Sequence, residues 1–314
     1  MGDGKAVSVT DATFHHTSEP GSWMRRAAWA AVAVAGLLIL LKAVAYLITG
    51  SIAMMASLAD SGLDLIGSTI NLVAIGHALT PADHEHRFGH GKAEPLAGLA
   101  QGAFIAGSAL FLVIESIQRI ISPQPVAHGA VGLAVMAFSI VAVTLLVILQ
   151  RIAVARTGSP AIGADSIHYL GDLATNLGVV VGIVLSWAFG LWLADPIVGI
   201  VIAGILALSS LHVFRQSYDQ LMDRELPEED RARIKKIVME HEDVRSLHDL
   251  RTRAAGISTF IQMHIELDPA LSLTRAHEVS DEVEADLRAA YPNAEVMIHQ
   301  DPAGLETPPE LARS

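Results

Sequence analysis

Cysteine is absent from the 314 residues, and that absence removes two kinds of chemistry. No disulfide framework can hold the chain, and no thiolate is available to a metal, so any soft-metal site has to be assembled from imidazole and carboxylate. Charge is scarce too: Asp, Glu, Lys and Arg make up 17% of the residues, against 52% hydrophobic ones. A mean hydropathy of +0.44 sets the chain well apart from soluble globular proteins and predicts a membrane protein. Positive charge is in deficit, the formal net being −12. From Asp223 onward 20 acidic residues face 11 basic ones, a local net of −9, which argues against nucleic acid or anionic lipid as a partner and suits cations. The H-E-x-x-H helix of an intramembrane metallopeptidase is also missing.

What is present is a series of apolar blocks. Crossing about 30 Å of hydrocarbon takes about 20 mostly apolar residues, and windows near 27–49, 52–79, 96–120, 129–150, 161–189 and 196–218 qualify. Turn-forming separators such as "TGS", "SPQPVAHG" and "RTGSP" divide them. Arg25, Arg26, Arg87, Lys92, Arg151, Arg156, Arg215 and Arg224 all fall on one side of such a bundle, and Arg119 alone on the other. The excess of Lys and Arg marks the cytoplasmic side, so both termini and the 80–95 loop are expected there. The arginine pair read as a topology determinant, since residues 1–24 lack the apolar core and cleavage site of a signal peptide. After residue 222 the periodicity turns to helix, two alternating strands meeting at Gly256, helix and strand. This α-β-β-α-β order predicts a small α+β domain over 222–302, following a membrane all-α domain over 25–221. Residues 303–314, rich in Pro and Glu, read as a disordered end.

Inside the second block, "SLADSGLDLIGSTIN" holds two carboxylates, Asp60 and Asp64, at i, i+4 on one helical face, continued by Ser68 and Asn71. The fifth block repeats the device in "SIHYLGDLATN" with His168 and Asp172. A charge at the centre of a membrane helix costs about 3 kcal/mol on the lenient scale, which disfavours leaving either pair alone. Facing each other, the pairs give three carboxylates and one imidazole, the number and type of donors a tetrahedral Zn²⁺-like ion takes. Polar helix-packing residues or a metal-free proton relay are the alternatives. Lys42 reads as a snorkelling side chain, Glu115 and Arg119 as an i, i+4 pair near the outer surface, and Asp165 as a helix-start residue or a vestibule carboxylate. His77, His128 and His212 read as interfacial residues near span ends.

Two further groups of potential ligands lie outside the blocks. "PADHEHRFGHGKAEP" concentrates Asp83, His84, Glu85, His86 and His90, enough for one loop-borne metal site. In the tail, His248, His264, His277, His299 and Asp301 are spread too widely for spacing alone to unite them, and His241 reads as an exposed residue following a helix.

The segments "SLADSGLDL", "PADHEHRFGHGKAEPLAGLAQ", "DSIHYLGDL", "LMDREL", "LHDLRTR" and "IHQDP", in this order and spacing, resemble the cation diffusion facilitator family, in its bacterial ferrous iron and zinc efflux branch. The resemblance runs from about residue 25 to residue 302. It implies a homodimeric antiporter, not an enzyme, that expels divalent metal for protons across the bacterial plasma membrane, with a metallochaperone-like (ferredoxin-like) cytoplasmic domain. Asp60, Asp64, His168 and Asp172 match the transport site, and Asp83, His86 and His90 the loop site. His248, His264, His277, His299 and bridging Asp301 match a binuclear cytoplasmic site, and Lys92 with Asp223 a charge interlock. Zn²⁺ is the expected cargo and regulator, with Cd²⁺, Fe²⁺, Mn²⁺ and Co²⁺ as further substrates; the alternatives are the same fold transporting chiefly Fe²⁺, Mn²⁺ or Co²⁺, and a membrane metal sensor without transport. His84, Glu85, His15 and His16 have no assigned counterpart.

Overall fold

The structure, a computed structural model, describes residues 18–50, 52–122, 130–189 and 193–304. Residues 1–17 with His15 and His16, His128, and 305–314 of the expected disordered end lie outside the described residues. Six long helices come first: α1 Ser18–Thr49, α2 Ile52–Ala78, α3 Ala93–Ile121, α4 Ala130–Thr157, α5 Pro160–Phe189 and α6 Ala194–Leu221. Among the described residues, α1, α2, α3, α4 and α6 hold stretches long and apolar enough to cross a membrane. Several helices outrun the apolar windows: α1 begins at Ser18 and α4 runs on to Thr157. Hydropathy marks only the part of a helix that sits in lipid, whereas the backbone ladder continues until something breaks it. Between α4 and α5 that breaker is Gly158, at φ 65°, followed by Pro160 at the first position of α5, where its missing N–H costs nothing.

The bundle packs through small residues, as membrane helices do when lipid removes the hydrophobic drive between them. Met24, Ala27, Ala28, Ile75, Ala97, Ala153, Ala161 and Ile162 form one buried cluster. On α3, Gly98 lets Ser217 of α6 approach the backbone, and the Ser210 hydroxyl donates to the Gly102 carbonyl at 2.9 Å. At one end of the bundle Arg156 lies over the Trp23 ring, 4.3 Å from its centroid, and ties α4 to α1.

The tail folds in the expected order, with α7 Glu228–Met239, β1 Ser246–Ala255, β2 Ser258–Leu267, α8 Leu273–Ala290 and β3 Ala294–Pro302. The sheet order is β1-β2-β3, with β1 and β2 antiparallel and β3 returning parallel to β2 through α8. Strand alternation divides the two faces. Ile261, Met263, Ile265 and Leu267 of β2 are buried against Ile234 and Val238 of α7 and Val279, Val283 and Leu287 of α8. Residues between them, His264 included, turn to the face away from the helices.

Candidate metal centres

Three groups of metal-ligating side chains assemble among the described residues, one from each region singled out by the sequence. At membrane depth α2 supplies Asp64 and α5 supplies His168 and Asp172. His168 Nε2 lies 3.1 Å from Asp64 Oδ1 and 3.8 Å from Asp172 Oδ2. Asp64 and His168 are each 8% exposed, and Asp172 Oδ2 is buried with no hydrogen-bond partner among the described residues. One imidazole nitrogen thus faces two carboxylates, with an acceptor left unsatisfied, the donor set and geometry a small divalent cation would complete. Behind the trio, Ser68 and Tyr169 share a 2.8 Å hydrogen bond that ties α2 to α5.

Asp60 does not join this group: it is exposed, one turn along α2 from Asp64. Lys42 departs from the snorkelling reading. Its Nζ donates to the Ser61 hydroxyl at 2.6 Å and to the Ser57 carbonyl at 3.2 Å, so it holds a cation against the turn that carries Asp60. Asp165 also differs from a helix-start residue, since it is 1% exposed. Its Oδ1 accepts from Gln101 at 2.6 Å and its Oδ2 from Gln150 at 2.7 Å. Neither glutamine stands out in sequence, because one polar residue in an apolar block carries no periodic signal. Glu94 carries no signal either, because it sits among the other charged residues of the 80–95 loop; it is 1% exposed and accepts a hydrogen bond from the Ser159 hydroxyl. Glu115 and Arg119 pair as expected, at 3.0 Å.

The second group lies in the loop between α2 and α3. Asp83 Oδ1 accepts from the backbone N–H of His86 at 2.6 Å and of Glu85 at 2.9 Å, an Asx turn that aims its other oxygen at His90 Nε2, 3.4 Å away. The His86 N–H is the largest of several influences that hold the Asp83 carboxyl below its ordinary value, so it stands ready as an anionic ligand. His90 Nδ1 faces the Thr80 carbonyl at 3.3 Å, the kind of outer contact that fixes a ligating histidine's orientation. His84 and Glu85 are exposed and do not belong to the group.

In the tail the register does what spacing could not. His248 is paired with His264 across β1 and β2, and His264 with His299 across β2 and β3, so three imidazoles form one row across the sheet. Asp301 is two residues beyond His299 and hence on the same face. Its Oδ2 lies 2.9 Å from His264 Nδ1 and 3.3 Å from His248 Nε2, while its Oδ1 lies 3.4 Å from His299 Nε2. The carboxylate is shared among three histidines, as a bridging ligand would be. His277 is not brought in: it is exposed on α8 and pairs with Asp281 at 3.7 Å. His241, read as exposed, is instead mostly covered and lies 2.7 Å from Glu282.

The loop and the tail meet on one side of the bundle. Lys92 Nζ lies 2.9 Å from Asp223 Oδ1, Arg253 lies 3.2 Å from the same oxygen, and the Arg253 guanidinium covers the Phe260 ring at 4.2 Å. Gly91 packs on the Ala255 carbonyl, with no room for a side chain, beside the β1–β2 turn at Gly256 (φ 61°). Burial works against the Asp223 charge, but the hydrogen bonds from Lys92 and Arg253 outweigh it and hold the carboxyl below its ordinary 3.8. A depressed value means that the contact contributes fully above 3.8 and is lost as pH falls through the lower folded value. Acidification below about pH 4 is therefore expected to loosen the loop from the tail. A fluorophore pair spanning the junction should report this as a step that Asp223→Asn lacks; an identical acid response in both would count against it.

The cation efflux transmembrane domain matches residues 28–222, and the cation efflux protein cytoplasmic domain matches residues 226–303. The cation-efflux pump FieF of Shewanella oneidensis is 46% identical over 290 residues, covering 92% of this chain and 98% of that protein. FieF of Cronobacter sakazakii is 42% identical over 285 residues, covering 91% and 95% respectively. Among solved structures, the metal-bound C-terminal domain of the CzcD transporter from Thermotoga maritima is 26% identical with a TM-score of 0.25, covering 26% of this chain and 100% of that one. With matches to both of its domains and relatives of nearly full length, this multi-pass membrane protein belongs to the cation diffusion facilitator family of cation efflux proteins.

Proposed function

We propose that the protein exports divalent transition metal, Zn²⁺ first among them, from the cytoplasm in exchange for protons, with Asp60, Asp64, His168 and Asp172 as the transport site. The observation that carries this reading is the 3.1 Å approach of His168 on α5 to Asp64 on α2. Carboxylate and imidazole bind metal only when unprotonated, so loading the ion releases protons and reprotonation releases the ion. Coupling is a property of the ligands themselves. Asp60, one turn away, closes onto the trio to complete four-coordination as the bundle changes its facing. An imidazole among oxygens favours Zn²⁺ or Cd²⁺ over Mg²⁺, with Fe²⁺, Mn²⁺ and Co²⁺ as weaker cargo.

In this reading residues 25–221 form the membrane domain, with both termini in the cytoplasm of a bacterial cell and the bilayer the inner membrane. Residues 222–302 form the cytoplasmic domain that binds Zn²⁺ through His248, His264, His299 and Asp301 and joins two chains as a homodimer. Asp83, His86 and His90 form the loop site, and Lys92 with Asp223 links the two domains. Proteoliposomes loaded with a zinc-sensitive and a pH-sensitive dye test the function: zinc should cross against its gradient when a proton gradient is imposed and should move protons the other way. Zinc binding with no flux would replace the exporter by a membrane metal sensor. Proton flux that ignores zinc would replace it by a proton channel.

A further inference from the structure

We propose that His77 is the fourth ligand of the loop site, making it a centre of three imidazoles and one carboxylate bolted to the end of α2. The inference rests on reading Asp83, His86 and His90 as a metal site, and goes beyond it in where the metal attaches. The three offer ligand atoms within 4.8 Å of one another, one short of the four that zinc takes from protein in a closed site. To close the site with protein alone, the missing donor comes from a side chain that already borders the trio and is exposed enough to turn toward it. His84 and Glu85 are adjacent in sequence, but among the described residues no ring contact or ion pair joins their side chains to His86 or His90.

His77 meets both conditions. It occupies the last turn of α2, is exposed, and sets its ring edge-on to His90, with centroids 4.5 Å apart and an interplanar angle of 64°. His86 approaches the same ring, also at 4.5 Å. His90 is thus flanked by two imidazoles, and rotation of the exposed His77 side chain is the remaining step to coordination. Its place on α2 has a mechanical consequence. A site made only of loop residues can capture an ion, whereas one with a helix ligand clamps the α2–α3 loop to the helix that carries Asp60 and Asp64. Metal in the loop then stiffens the transport helix about 20 Å from Asp64, 13 residues at 1.5 Å each.

The test uses the full chain in detergent with Asp64→Ala, His168→Ala, His264→Ala and Asp301→Ala, which disable the other two centres and leave the loop. Co²⁺ serves as the spectroscopic probe and Zn²⁺ titration gives the affinity. His77→Phe keeps the ring against His90 and removes both nitrogens. It is expected to lower zinc affinity by more than the about 10- to 100-fold that an outer-shell partner is worth, and to change the intense visible bands of tetrahedral Co²⁺. His86→Ala is the control. If His86→Ala loses the metal and His77→Phe binds like its parent, His77 is a packing residue and the inference is overturned while the loop site stands. If neither matters, the loop reading itself fails and takes the inference with it. Should the multiple background not fold, the same two variants in the otherwise unaltered chain, followed as bound zinc per chain at limiting metal, give the same discrimination.

Discussion

Asp64→Ala proteoliposomes are expected to carry zinc at no more than about one hundredth of the parental rate, since even a partner behind a metal ligand is worth about 10- to 100-fold. Asp64 is the residue to choose because it is the sole α2 contribution to the trio as it stands, with His168 Nε2 at 3.1 Å. Its loss leaves His168 and Asp172 of α5 with only Asp60 across from them, a carboxylate that lies outside the trio, too few to hold a divalent ion against its hydration shell. Asp60→Ala separates two roles: with Asp60 outside the trio, initial zinc binding should survive better than transport. His168→Asp should keep transport but shift preference toward harder ions such as Mn²⁺, because a nitrogen donor becomes an oxygen. Competition flux over Zn²⁺, Cd²⁺, Fe²⁺, Co²⁺ and Mn²⁺ measures all three variants. Parental zinc flux in Asp64→Ala would remove the transport site from the mechanism.

The way each centre appears in the sequence follows from how its ligands are spaced. The membrane trio was legible because a carboxylate in an apolar block is an anomaly, and two i, i+4 pairs are a repeated one. The loop was legible because its ligands are crowded into a short segment. The tail site was not, since its ligands become neighbours only through the His248–His264 and His264–His299 register, a property of strand pairing rather than spacing. The α-β-β-α-β order did show in periodicity, because alternating residues such as Ile261, Met263 and Ile265 face a core. A lone uncharged polar residue outside a polar stripe gives no periodic signal, and hydropathy does not mark helix ends. Gln101 and Gln150 look like chance in an apolar run until Asp165 is seen between them, and His77 looks interfacial until the loop folds back over it.

Gln150→Leu is expected to destabilise the bundle by about 1–3 kcal/mol, and by more if the carboxylate it deserts is charged. Gln150 on α4 and Gln101 on α3 each donate to one oxygen of Asp165 on α5, so a single carboxylate joins three helices. Gln150 is 0% exposed and Gln101 3%, which leaves little prospect of water replacing a lost donor. Leucine matches glutamine closely in volume, so the effect isolates the missing hydrogen bond from any cavity. Asp165→Leu should cost at least as much, because it strands two buried amides instead of one acceptor. The triple replacement Gln101→Leu, Gln150→Leu, Asp165→Leu should recover much of the loss, since it removes the buried carboxylate together with both amides that donate to it. Unfolding in mixed detergent measures the series, and a Gln150→Leu protein as stable as its parent would show that the glutamine does not hold the helices. Transport by the triple variant then decides what the network is for. If stability returns and zinc flux does not, Asp165 serves the passage of ions to His168, one turn further along α5, and the cost of burying it is the cost of that passage.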